Sequence, residues 1–241
     1  MEEKLTGIVV SAIDYRENDK LINVFTLEKG IVTASLKGVK KAGAKMKFAA
    51  APFCLAEFVF SRKNDKRTVI GASLTDSFYP IRENIYSLYC GGAILEFLKR
   101  FLKEEIVSPE LFFSTVSALK DVAYGAENDL SVTTRFFINA LKYSGYALNT
   151  SGCFSCENDN FERVFFDYKS GAFYCEDCRD KDMKEINRIT YSALQNAENG
   201  IAVSETEAKY ALRLIDFYIT NKTEENLKAL KELNKLCAEH N

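Results

Sequence analysis

Leu5-Thr-Gly-Ile-Val-Val-Ser-Ala-Ile-Asp14, Leu21-Ile-Asn-Val-Phe-Thr-Leu27 and Ile31-Val-Thr-Ala-Ser-Leu36 are runs of β-branched and aromatic residues separated only by short polar turns. Two more follow, Cys54-Leu-Ala-Glu-Phe-Val-Phe60 and Thr68-Val-Ile-Gly-Ala-Ser73, bounded by Lys37-Gly38 on one side and the charged turn 62–67 on the other. Runs of this length and composition read as strands. Five of them before Pro80 predict a small closed barrel over residues 1–79. An OB-like barrel and an SH3-like barrel both fit, and the period alone does not choose between them.

Beyond Pro80 the period changes from two to nearly four. Ile81, Ile85, Leu88, Ile94, Leu95, Leu98 and Leu102 mark one face of a long helix, which Gly91-Gly92 would weaken. Ser108-Pro109 looks like a cap followed by proline at the first helical position and opens a helix towards Tyr124. A third helix is expected from about Ser131 to Tyr146, with Phe136, Phe137, Ala140, Leu141 and Ser144 on its buried side. Further helices are expected near 184–198, 204–221 and 223–237. The fold class is therefore α+β multidomain, a β-barrel followed by an all-helical domain over 80–241.

Within that helical domain, residues 150–180 break the pattern. Cys153-Phe-Ser-Cys156 and Cys175-Glu-Asp-Cys178 flank Phe161-Glu-Arg-Val-Phe-Phe-Asp-Tyr-Lys-Ser-Gly-Ala-Phe-Tyr174, an aromatic hairpin around Lys169-Ser170-Gly171. Two CxxC pairs at opposite ends of a short ribbon can converge on one tetrahedral Zn²⁺ through Cys153, Cys156, Cys175 and Cys178. A four-sulfur shell leaves no position for water, so the expected role of the single zinc is structural. Two disulfides, two separate redox CxxC motifs or four ordinary thiols are the alternatives. The opening Met1-Glu-Glu-Lys is not a signal peptide, so a reducing, cytoplasmic setting is expected, where disulfides are disfavoured. Cys54, Cys90 and Cys237 lie in apolar or helical surroundings and read as core thiols.

The net charge of -2 hides a division. Residues 1–80 carry 13 Lys/Arg and 9 Asp/Glu, leaving 19 and 25 for the remainder. The basic half concentrates its charge in Lys37-Gly-Val-Lys40-Lys41-Ala-Gly-Ala-Lys45-Met-Lys47, which holds five lysines and no acid. Arg62, Lys63, Lys66 and Arg67 form a second cluster with one acid, Asp65. In a five-stranded barrel the two loops could line one groove suited to a phosphodiester chain. Solvated surface is the bland alternative.

Catalytic signatures are missing. The sole histidine is His240, and neither a P-loop nor GxGxxG occurs. Asp14, Glu17 and Asp19 surround a hairpin turn and read as turn formers. The longest apolar stretch, 49–60, is interrupted by Pro52 and Glu57 and is too short to span a bilayer. A non-enzymatic protein with no membrane role is expected.

The run Gly7-Ile-Val-Val-Ser-Ala-Ile-Asp-Tyr-Arg-Glu-Asn-Asp19, then Phe25-Thr26, Gly30, Leu36-Lys-Gly-Val-Lys-Lys41 and Pro52-Phe53, resembles the amino-terminal barrel of the bacterial RecO family of recombination mediators. The resemblance extends over about residues 1–220, with the zinc cysteines late in the helical domain. It departs at the end, where Phe217-Tyr-Ile219 leads into Thr223-Glu-Glu-Asn-Leu in place of a basic segment. It also departs after Lys41, where lysine stands for the more usual arginine. The resemblance implies an OB-fold barrel, a zinc site, and binding of single- and double-stranded DNA. It further implies annealing of strands coated with single-stranded DNA-binding protein, and work with RecR in loading RecA, at the nucleoid. DNA binding would fall to Lys37, Lys40, Lys41, Lys45, Lys47, Arg62, Lys63, Lys66 and Arg67. The acidic, aromatic-tipped tail of single-stranded DNA-binding protein would need an apolar pocket beside a cation, with Lys99, Arg100, Arg135 and Lys142 near Phe101, Phe136 and Phe137 as candidates, although these aromatics read first as core. An RNA-binding OB/zinc protein and a zinc-ribbon transcription regulator remain the rival readings.

Overall fold

The computed structural model describes residues 2–64 and 66–239, so Asp65, one acid of the 62–67 turn, and His240, the only histidine, lie outside the described residues. Five strands form a closed barrel in the order β1-β2-β3-β5-β4: β1 Glu2–Tyr15, β2 Asp19–Thr26, β3 Gly30–Leu36, β4 Leu55–Lys63 and β5 Lys66–Asp76. Long β1 makes the closure possible. Its first half pairs with β4 (Glu2↔Ser61 to Ile8↔Leu55) and its second half with β2 (Gly7↔Thr26 to Tyr15↔Asp19), with a bulge between Val9 and Ser11. The remaining seam, β3 to β5, is parallel and only two pairs long, Ala34↔Arg67 and Ser35↔Thr68. This five-stranded closed order is OB-like.

Alternation along the strands sends Val9, Ile22, Val24, Val32, Leu36, Phe58, Phe60 and Val69 inward to a private barrel core. A second set points outward and is buried all the same: Ile8, Val10, Phe25, Ile31 and Leu55 belong to the core of the helical body. That body contains α1 Ile85–Phe101, α2 Pro109–Tyr124, α3 Asp129–Tyr143, α4 Arg188–Glu198, α5 Glu205–Thr223 and α6 Lys228–Glu239. Burial of the five outward barrel side chains contributes roughly 1.5–3 kcal/mol each, so the joint is worth on the order of 10 kcal/mol as an upper figure. The Phe25 and Phe112 rings meet edge to face at 5.5 Å across it.

The helix starts differ from the sequence expectations for local reasons. Ile81 sits in a separate 3-10 turn, Tyr79–Arg82, and α1 begins only at Ile85, where the Asn84 side chain accepts from the Tyr86 and Ser87 amides. α1 runs unbroken through Gly91-Gly92. A β-carbon on Gly91 would lie 2.9 Å from Phe53 and 3.1 Å from Ile81, so the missing side chain is what lets helix and barrel approach. The third helix stops at Tyr143, ahead of Gly145 with φ +81°. Residues 184–187 are not helical. Lys184–Ile186 is strand β8, paired with β6 Val164–Asp167, which also pairs with β7 Ala172–Tyr174, and Asn187 caps α4. The ribbon therefore has three strands. Residues 224–227 separate α5 from α6, with Glu224 in the left-handed conformation. None of the described helices is long and apolar enough to cross a membrane.

The chain following α1 straps the barrel to the body. The Glu105 amide donates to the Ile31 carbonyl at 3.2 Å, Thr33 Oγ1 donates to Glu104 at 2.8 Å, and Arg67 Nη2 reaches Glu105 at 2.6 Å. Gly30, with φ +64°, lies under this strap, where an added β-carbon would be 2.1 Å from the Ile106 carbonyl oxygen. Gly30→Ala combines a left-handed backbone with a clash against main chain. We expect it to destabilise the protein by about 3 kcal/mol in urea unfolding; an unchanged midpoint would disprove the strap.

Candidate nucleic-acid groove and four-cysteine cluster

A groove of about 720 Å³ runs over the outer face of β2, β3 and β5. Its floor holds Leu21, Thr33, Ser35, Thr68 and Ile70, the outward neighbours of barrel-core residues. One rim is the β1–β2 tip with Tyr15 and Arg16, joined by Lys37; the other is the β4–β5 tip with Lys63 and Lys66. The two basic loops do contribute to one groove, as the sequence suggested, but only in part. A shallower depression of about 440 Å³ lies beyond the first rim and holds Lys41. Arg16, Asp19 and Lys37 border both depressions and so form the ridge between them.

The lysine loop is held by residues distant in sequence. The Asp19 carboxylate accepts from the Gly38 amide at 2.8 Å, and the Lys40 amide donates to the Asn18 carbonyl at 3.1 Å. Lys40 Nζ lies 2.9 Å from Asp14, and its hydrogen bond keeps the Asp14 carboxyl below the usual carboxylate range. Asp14 and Asp19 thus brace the loop across the turn that they flank. Lys47 donates to the Ala42 carbonyl at 2.8 Å. Lys40, Lys45 and Lys47 are exposed and line neither depression.

Arg67 lines the groove but is itself buried. Its guanidinium reaches Glu3 at 2.7 Å and Glu105 at 2.6 Å, and Lys29 also pairs with Glu3. Burial would raise the Glu3 carboxyl, yet hydrogen bonds from Lys29 and Arg67 outweigh it and hold the group low. The hydrogen bond from Arg67 likewise lowers Glu105, with Arg62 close enough to add to the effect. Tyr15 and Arg16 escaped the sequence reading. An aromatic–cation pair at a hairpin tip was their only signal.

The four ribbon cysteines converge. Their Sγ atoms all lie within 4.8 Å of one another, and Cys156 and Cys175 are 3.8 Å apart. A tetrahedral ion with sulfur at about 2.3 Å would separate its ligands by about 3.8 Å, whereas a disulfide needs about 2 Å. The thiols are free, and the cluster could hold a metal ion. Burial would raise Cys153, but amides of Cys175, Cys156 and Ser155 draw it down to about 6. The first knuckle is fixed by Cys153 N–H to Asn158 O and Glu157 N–H to Cys153 O, both 2.8 Å. Tilted and edge-to-face ring contacts carry the ribbon onto the body: Phe166 to Phe173 at 4.9 Å, Phe173 to Tyr191 on α4 at 4.9 Å, and Phe166 to Tyr218 on α5 at 5.8 Å.

Two further features concern the helical candidates. Phe136 and Phe137 are core residues, and Arg135 is bonded to both Glu127 oxygens at 2.9 and 2.8 Å. Lys99 and Arg100 instead border an apolar cleft of about 490 Å³ between α1, Pro52-Phe53 of the barrel and the start of α6. The acid in that cleft, Glu96, is occupied in accepting from the Ala229 amide at 2.8 Å.

Residues 1–78 match the family model described as recombination protein O, N terminal, and residues 82–231 match recombination protein O, C terminal. Curated relatives named "DNA repair protein RecO" include one from Caldicellulosiruptor saccharolyticus, 24% identical across 86% of this chain and 82% of its own length. One from Acetivibrio thermocellus is 24% identical across 97% and 96%. A third, from Syntrophomonas wolfei, is 30% identical across 71% and 68%.

Two outcomes are expected. Arg67→Ala should cost about 2–4 kcal/mol, because it leaves the largely buried Glu3 with Lys29 as its remaining cation and removes the Arg67 link to Glu105. The lowered carboxyls add stability that is complete above the ordinary carboxyl range near pH 4.3 and is lost as pH falls through their lower folded values. Urea unfolding from pH 7 to pH 3 should therefore show a gap between wild type and variant that narrows in acid. Separately, Cys175→Ser should open residues 150–186 to limited proteolysis while helical circular dichroism persists; equal protease resistance would mean that the cluster does not hold the ribbon.

Proposed function

The chain belongs to the RecO family of DNA repair proteins, and from that premise we propose that it is a non-catalytic mediator of recombination, acting in the cytoplasm at the nucleoid. It binds single- and double-stranded DNA, anneals complementary strands coated with single-stranded DNA-binding protein, and with RecR assists the loading of RecA. The observation that carries this reading is the basic groove on the OB-like face, bordered by a second basic depression across the Arg16–Lys37 ridge.

Annealing is limited by repulsion between two phosphodiester chains. Lys37, Lys63, Lys66 and Arg16 neutralise one strand in the groove, while Lys41, with Lys40, Lys45 and Lys47 on the same loop, faces the other. The ridge cations are shared, which lowers the cost of bringing the strands side by side. Arg62 stands beside the groove as an auxiliary cation, and Arg67 shapes its wall through Glu3 and Glu105. The acidic tail of single-stranded DNA-binding protein docks in the cleft at Lys99 and Arg100, where apolar Phe53, Leu88 and Leu95 accept its aromatic tip.

One Zn²⁺ occupies the four-cysteine cluster. The support is the donor set, since four soft sulfur ligands within 4.8 Å of one another, with Cys156 and Cys175 at 3.8 Å, suit a closed tetrahedral shell. The ion would supply structure only. Metal analysis should give one zinc per chain in wild type and well under one in Cys156→Ser; zinc-free stable wild-type protein would contradict the assignment.

The functional test is annealing of complementary oligonucleotides precoated with single-stranded DNA-binding protein, at two salt concentrations. Acceleration that fades with salt is expected. Four phosphate contacts on a single strand predict a log–log salt slope of roughly -2.8, falling to roughly -1.4 in Lys63→Ala/Lys66→Ala. No acceleration, with preference for structured RNA or for one duplex sequence, would favour the RNA-binding or regulatory readings.

A further inference from the structure

We infer that Tyr15 is a stacking station for one unpaired base, which makes the groove over β2, β3 and β5 selective for single strands. The inference rests on the DNA-binding reading above and adds to it the residue that tells a single strand from a duplex.

The first argument is the distribution of polarity across the groove. Its exposed cations stand on the rims, Arg16 and Lys37 on one side and Lys63 and Lys66 on the other; Arg67 is buried in the wall against Glu3 and Glu105, and the floor is apolar or hydroxylic. A single strand satisfies that arrangement with phosphates at the rims and bases turned to the floor. A duplex does not, because its bases are already stacked and paired and only phosphates and groove edges face outward.

The second argument is the state of the apolar groups. Ile70 is 46% exposed on the floor and Tyr15 is 40% exposed on the rim. Scattered exposed apolar residues mean little. These two share one cation-bordered groove with Leu21, so the apolar surface is continuous with the phosphate-binding positions.

The third argument is local backbone geometry. Arg16 has φ +56°, a left-handed conformation that an arginine adopts at a cost and that turns usually assign to Gly, Asn or Asp. In this conformation the guanidinium carbon lies 5.2 Å from the Tyr15 ring centroid while Arg16 also borders both depressions. One side of the ring is thus backed by a cation, which steadies the tyrosine and places a positive charge where a nucleotide's phosphate would follow its base.

The test titrates a labelled oligo-dT, an oligonucleotide carrying a single 2-aminopurine, and a blunt duplex of equal length against wild type, Tyr15→Ala, Tyr15→Leu and Tyr15→Phe. Stacking onto one aromatic residue predicts a loss of about ten- to a hundredfold in single-strand affinity for Tyr15→Ala. Tyr15→Leu should fall with it, because it keeps apolar bulk but has no π face, and Tyr15→Phe should restore wild-type binding. Duplex affinity and the salt slope should hold in all three, since no phosphate contact is removed. The 2-aminopurine should be quenched on binding to wild type and less so on binding to Tyr15→Ala. Unchanged single-strand affinity in Tyr15→Ala, or equal losses for single strand and duplex, overturns the proposal. Lys63→Ala/Lys66→Ala separates the two readings: if it loses affinity and salt slope while Tyr15→Ala does not, the groove binds DNA without a stacking station. If neither variant affects binding, the groove is not the DNA site and both readings fall.

Discussion

Everything described above depends on the barrel burying two faces. A free-standing OB-like barrel needs one apolar face per strand, turned to its own interior. Here Ile8, Val10, Phe25, Ile31 and Leu55 extend apolar character to the outside of β1, β2, β3 and β4, and they must be covered by α1, α2 and the strap after α1. That cover selects which part of the barrel surface stays open. With the Phe25 end of β2 and the Ile31 end of β3 covered by the helical body, the face over Leu21, Thr33, Ser35, Thr68 and Ile70 stays open, with basic residues at its edges. Gly30 and Gly91 are the two places where the approach is so close that a side chain would prevent it.

Much of this was legible in the sequence. Strand composition before Pro80, the change to a helical period after it, and the spacing of the CxxC pairs each rest on local periodicity or on ligand geometry, so they survive without knowledge of the tertiary structure. The misreadings are equally physical. Lys184-Glu-Ile186 has no strand signature of its own and becomes one only because β6 offers an edge. Gly91 reads only as a weak point in a helix until Phe53, distant in sequence, is brought against it.

The basic loops were legible by charge, and their pairing was not. Counting lysines found the 37–47 loop, but counting does not reveal that Asp14 and Asp19 reach across to hold it, or that Arg67 is taken up by Glu3 and Glu105. A buried arginine and a surface arginine look alike in one dimension. Tyr15 and Arg16 show the converse: they are two residues at a turn, and they share a groove with Lys63, Lys66 and Ile70, distant in sequence, only because β3 meets β5.

The division of charge between the halves of the chain has a kinetic meaning. With 13 cations to 9 anions up to residue 80 and 19 to 25 beyond it, the molecule is an electric dipole whose positive pole carries the groove. A polyanion therefore exerts a torque on the protein during approach, turning the barrel towards it and the helical body away before any contact forms. Collisions are sorted by orientation ahead of recognition, and at salt low enough for the Debye length of about 10 Å or more to span the gap, a larger share of encounters becomes productive.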